Sequence, residues 1–175
     1  MPALLAAALV LAGTAVVLAG QATIPGAIEV RLAELFPEAI SFSPKAGNPP
    51  HFTAYAAGAG AGEKRVVGYA FWTTELDPLE RGYDGPIQIL VGIRPSGRLA
   101  GVSVGPHHEP FGYFSVDSTE FAKEFAGKDV RDAFSVGADV DAISRATISV
   151  TSATRAIRNS SRRFARQLLT PGVAP

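Results

Sequence analysis

Near its C-terminus the chain carries a helical pattern that can bury only one of its faces. Val150, Ala153, Ile157, Phe164 and Leu168 recur at helical spacing, with Ser160 or Ser161 filling the gap in the stripe. Arg155, Arg158, Arg162, Arg163 and Arg166 occupy much of the remainder, and Pro171 stops the pattern. Basic residues crowding the C-terminal half complement the negative end of the helix dipole. They read as a solvated face rather than as a contact with anionic lipid headgroups. A stripe of this length must be covered by other elements, and the pattern upstream supplies strands. The fold class read from the chain is therefore α+β, an antiparallel sheet packed with a long C-terminal helix.

Phe52 to Ala56 and Val66 to Thr73 read as two strands joined by a glycine-rich run, Ala57 to Lys64. That run is no phosphate-binding P-loop: Glu63, not glycine, precedes Lys64, and Arg65 follows it. Nor does it have the Gly-x-Gly-x-x-Gly spacing of a dinucleotide fold, so it is read as a hairpin tip. The turn cluster Gly82-Tyr83-Asp84-Gly85-Pro86 feeds an apolar run, Ile87 to Ile93, suited to a central strand. Arg94-Pro95-Ser96-Gly97 supplies turn chemistry, and Leu99 to Val104 returns as the paired strand. Upstream, Ile28 to Phe36 reads as a short amphipathic helix closed by Pro37, and Ser43 to Pro50 as loop. Thr119 to Phe125 reads as another short helix, capped by Ser118 and closed by Gly127.

From Ala3 to Gly20 every residue is apolar, Gly or Thr, and no lysine or arginine precedes Arg31. About 20 apolar residues cross a bilayer core. The stretch is expected to be a transmembrane anchor or a signal segment, with Gly20-Gln21-Ala22 as a small-x-small cleavage site. The chain is accordingly divided into an anchor or signal segment (1–23), an amphipathic helix and loop (24–50) and the main domain (51–170). That domain is expected at the cytoplasmic membrane on its periplasmic side, or free in the periplasm after cleavage. Acidic and basic residues balance at 16 each, so nothing in the charge suggests nucleic acid. The absence of cysteine excludes thiolate metal centres, disulfides and thiol catalysis.

Two loops carry candidate chemistry. Asp141-Ala142-Ile143-Ser144-Arg145-Ala146-Thr147 opens the C-terminal helix, where free N–H groups and the positive dipole end can hold a phosphate. Ser144, Ser149, Thr151 and Ser152 crowd the same turn, so an ordinary Ser/Thr-rich capping region is the alternative. Ala146 lets the backbone approach a ligand, and Arg145 either pairs with the phosphate or points to solvent. The second loop is His107-His108-Glu109-Pro110. Adjacent strand residues face opposite ways and no third ligand beyond Glu109 is evident, so no metal is expected. With three histidines in the chain and no Gly-x-Ser-x-Gly elbow, hydrolysis is unsupported.

Three segments together resemble one family. Asp141 to Thr147 is similar to the Asp-x-x-Ser-Gly-Ala-Thr signature of bacterial FMN-binding domains, with Arg145 in the glycine's place. Gly82 to Ile87 resembles their Gly-Tyr-x-Gly-Pro-Ile opening, and His107 to Pro110 resembles their His-x-Glu loop. The resemblance covers roughly Phe52 to Leu169. The His107 to Pro110 run is similar to that of the exported flavin domain of the nitrous oxide reductase regulator, and sodium-translocating NADH:quinone reductase carries a more distant version.

The resemblance implies FMN as cofactor, phosphoester-linked to Thr147 by a flavin transferase. It places Ser144, Arg145, Ala146, Ile148 and Thr151 beside the flavin's attachment, and Tyr83, Gly85, Pro86, His108 and Glu109 in the loops near the ring. Tyr83, Tyr113, Phe111 and Trp72 are candidates to stack on that ring. It further implies a redox carrier rather than a stand-alone enzyme, served by a membrane redox protein or quinone-linked donor. A flavin-dependent or other ligand-binding sensor with no carrier role is the alternative.

Overall fold

The computed structural model describes residues 23–112 and 115–169. The apolar stretch Ala3 to Gly20 lies outside them, and among the described residues no helix is long and apolar enough to cross a membrane. Five strands pair antiparallel in chain order: β1 (Ser41–Phe42), β2 (Phe52–Ala57), β3 (Lys64–Trp72), β4 (Ile89–Ile93) and β5 (Leu99–Val104). The helices are α1 (Gly26–Leu35), α2 (Thr73–Leu76), α3 (Thr119–Lys123) and α4 (Thr147–Leu168). The protein is α+β, as the sequence pattern implies.

Alternation along the central strands divides the core in two. Phe71 on β3 and Ile89, Val91 and Ile93 on β4 join Val150, Ala153, Ile157 and Phe164 of α4 in one cluster. The intervening Ala70, Trp72 and Leu90 join Leu32, Leu35 and Phe36 at the end of α1 in the other. β4 is buried throughout because both its faces are covered, which is why it reads as an unbroken apolar run. The rings of Phe71 and Phe164 stack with centroids 4.5 Å apart, tying the middle of the sheet to the C-terminal half of α4. Ser160 and Ser161 are both fully buried in the α4 stripe, the small residues that let the helix lie close to its neighbours.

Several boundaries differ from the sequence pattern, and the clearest has a local reason. β3 stops at Trp72, because the Thr73 hydroxyl accepts from Ile89 N–H at 3.1 Å and donates to the Ile87 carbonyl at 3.3 Å. That side-chain clamp stands in for a ladder step, so the chain turns into α2 and β4 begins only at Ile89. β1 is too short to show periodicity and exists through its pairing with Tyr55 and Ala54. The glycine-rich tip closes as a hairpin, with Gly58 N–H donating to the Glu63 carbonyl at 2.8 Å.

The α1 side depends on a glycine. A Cβ at Gly68 would lie 2.6 Å from Phe36 Cζ and 2.9 Å from the Ile93 carbonyl, so the Phe36 ring sits where a side chain would be. We expect Gly68→Ala to cost about 2 kcal/mol through overpacking. In thermal unfolding that is a Tm lower by roughly 4–8 °C for a chain of this size, and Phe36→Leu in the same molecule should recover part of it. An unchanged Tm would show that the ring moves freely.

Candidate functional site

Glu109 follows β5 in a loop and its side chain is buried, at 7% exposure. Its carboxylate gathers three donors from two other segments. Tyr83 N–H donates to Oε2 and Asp84 N–H to Oε1, each at 3.0 Å, and the Ser149 hydroxyl from the first turn of α4 donates to Oε2. The turn before β4 wraps closely around it: a Cβ at Gly82 would lie 2.6 Å from Glu109 Cδ, and Gly82 N–H closes the turn on the Gly85 carbonyl at 2.7 Å. Burial acts to raise the Glu109 carboxyl, but the Ser149 hydroxyl and the Asp84 and Tyr83 N–H groups outweigh it. The group is held below the usual carboxylate range.

Behind the carboxylate lies a second set of bonds. Glu109 N–H donates to His107 Nδ1 at 3.1 Å, and His107 Nε2 meets Asp117 Oδ1 at 2.7 Å. An accepting Nδ1 bears no proton, so Nε2 carries the hydrogen and donates to Asp117.

These contacts bring Tyr83, Pro110, Phe111, Arg145, Ala146, Thr147, Ile148 and Ser149 around a cleft of about 490 Å³. Its floor is the start of α4. Ala146 is the N-cap and no side chain caps the helix, so the first-turn N–H groups are left to the cleft. Thr147 is exposed and is the first helical residue rather than the cap. Tyr83, Ile148 and Phe111 bring exposed apolar surface to the same place, at 69%, 58% and 42% exposure. Arg145 has φ +69°, a left-handed conformation that favours glycine.

Of the residues singled out in the sequence, Tyr83, Arg145, Ala146, Thr147 and Ile148 line this cleft, and Glu109 stands directly behind it. Ser144, Thr151, Gly85, Pro86 and His108 are not among its lining residues. His108 is exposed, whereas His107 is the histidine that bonds to the Glu109 backbone. Trp72 packs on the α1 side of the sheet, and Tyr113 lies outside the described residues. Ser149 was visible in the sequence only as one hydroxyl among several; its place in the first helical turn is the signal that sets it apart. Among the described residues, no group of three or more His, Asp or Glu side chains is arranged to hold a metal ion.

The sequence model of the FMN-binding domain family matches residues 82–161. Residues 82–161 are an FMN-binding domain. FMN is the cofactor this assignment indicates, and no curated protein matches the chain. The matched span contains the Gly82 turn, the Glu109 loop and the start of α4, the three pieces joined at the carboxylate. The cleft suits the cofactor: its volume lies in the usual range for small-molecule sites, its floor offers N–H donors to a phosphate and its mouth is apolar. Arg145, which stands in the glycine's place in the signature the segment resembles, has a left-handed φ that glycine adopts without strain.

Two outcomes follow. Because the Glu109 pKa is lowered in the fold from the ordinary 4.5, its stabilisation is complete above that pH and is lost as pH falls through the folded value. Acid titration of stability should show this loss, and Glu109→Gln, about 2–3 kcal/mol less stable at pH 7, should remove that share of the slope. An unaltered slope would separate the carboxylate from the fold's acid response. Arg145→Gly should relieve the left-handed strain and raise stability by up to about 1 kcal/mol, net of glycine's entropy. A clear fall in Tm would show that the arginine side chain makes a stabilising contact.

Proposed function

We propose that this protein is an exported, membrane-associated electron-transfer module whose FMN is phosphoester-linked to Thr147. The observation that supports this best is the uncapped start of α4, with Thr147 exposed at the edge of a cleft whose other walls are apolar. Bound FMN supplies one- and two-electron redox chemistry. The chain's own residues bind and orient: the first-turn N–H groups of α4 receive the phosphate, Ala146 keeps the approach open, and Tyr83, Phe111 and Ile148 shield the ring from water. The protein's part is positioning and tuning.

Attachment needs a separate flavin transferase acting on a flavin pyrophosphate. Thr147 Oγ1 forms the new bond to phosphorus, the pyrophosphate P–O bond breaks, and the nucleotide leaves with its electron pair. The hydroxyl proton passes to the transferase. In this reading the electrons come from a membrane redox protein or quinone-linked donor, and the apolar stretch Ala3 to Gly20 supports a position at the outer surface of the cytoplasmic membrane.

Co-expression with an exported flavin transferase should yield flavin fluorescence that survives denaturing electrophoresis. Thr147→Ala should abolish it and Thr151→Ala should retain it; a fluorescent Thr147 variant would sink the attachment site. A reporter fused after Pro175 should be active only if it works in the periplasm. Activity of a cytoplasm-only reporter would overturn the localisation and with it the route of attachment.

A further inference from the structure

Resting on the reading of the cleft as an FMN site, we infer that His107 is its positioning residue, acting through the Glu109 backbone without touching the cofactor. The His107 side chain is 8% exposed and is not among the residues lining the cleft. Its ring is held at both nitrogens, Nδ1 by Glu109 N–H at 3.1 Å and Nε2 by Asp117 Oδ1 at 2.7 Å. The amide it holds belongs to the residue whose carboxylate gathers Tyr83, Asp84 and Ser149. Holding that amide sets the direction of the carboxylate, and through it the distance between the Tyr83 wall and the start of α4.

The clasp has one orientation. A flipped ring would present a carbon to Glu109 N–H and lose that bond. Gly112 packs against the pair: a Cβ there would lie 3.1 Å from His107 Nε2 and 3.0 Å from Asp117 Oδ2. Asp117 is itself tied by its N–H to the Gly112 carbonyl at 2.9 Å. The role needs an acceptor at the δ position and a donor at the ε position of one rigid plane. Asparagine supplies the first and glutamine the second, and neither supplies both.

That difference makes the test. In full-length protein without FMN, hydrogen exchange at the Tyr83 and Asp84 amides should be roughly tenfold faster in His107→Ala, with β4 amides as in wild type. FMN itself, titrated by fluorescence quenching, should bind roughly tenfold more weakly to the same variant. His107→Asn should restore most of both readouts, because its Oδ1 takes the Glu109 N–H, while His107→Gln should restore neither. A merely structural histidine would let Asn and Gln fall together with Tm. Asn and Gln variants that behave alike, or an Ala variant with wild-type exchange, would overturn the proposal. If the exchange pattern holds but wild type binds no FMN, the cofactor reading fails while His107 is confirmed as the residue that sets Glu109.

Discussion

The site is organised by one buried carboxylate. Glu109 accepts from a loop before β4 and from the first turn of α4, elements far apart in the chain. Removing a carboxylate from water is unfavourable unless donors replace the lost hydration. Here two backbone N–H groups and a hydroxyl do so, and the buried Ser149 hydroxyl would itself lose its acceptor if Glu109 were withdrawn. The three segments therefore hold one another: the turn cannot leave the helix without uncovering the charge. A loop-built cleft thereby acquires a defined shape, which binding a large planar cofactor requires.

The scaffold beneath explains why these loops are placed so consistently. A meander of five strands is covered on one face by α4 and on the other by α1, and β4 is buried from both sides. The turn before β4 and the loop after β5 enter and leave adjacent, paired strands. α4, stacked on the same sheet through Phe71 and Phe164, brings its N-terminus to both. Loops can carry the ligand chemistry because the elements they join are paired in one sheet and packed on one helix.

Arg145 shows a local rule being broken beside the site. Its left-handed backbone belongs to glycine by sterics, and an arginine there is a strained residue immediately before the N-cap. Phe134 shares a positive φ but is buried, with its N–H donating to Asp139 Oδ2 at 3.0 Å, so packing and a side-chain bond hold it. Arg145 is exposed and has no such support among the described residues.

Much of the architecture was legible in the chain alone. The one-faced stripe from Val150 to Leu168 announced α4, the apolar run before Ile93 announced a central strand, and Leu99 to Val104 was bounded by its own turn residues. These are short-range patterns of period and punctuation, which neighbouring residues carry in full. The motif positions Tyr83, Glu109 and Thr147 were visible for the same reason, as residue types at fixed spacing. What the chain could not show is that Glu109 bonds Ser149, that His107 and not His108 meets the Glu109 amide, or that Thr73 ends β3 by bonding Ile89. Which of two adjacent histidines turns inward depends on the path of a loop, and that path is set by partners brought near only by folding. The order of residues along the chain determined the elements and the candidate chemistry; the packing of α4 on the sheet decided which side chains share a site.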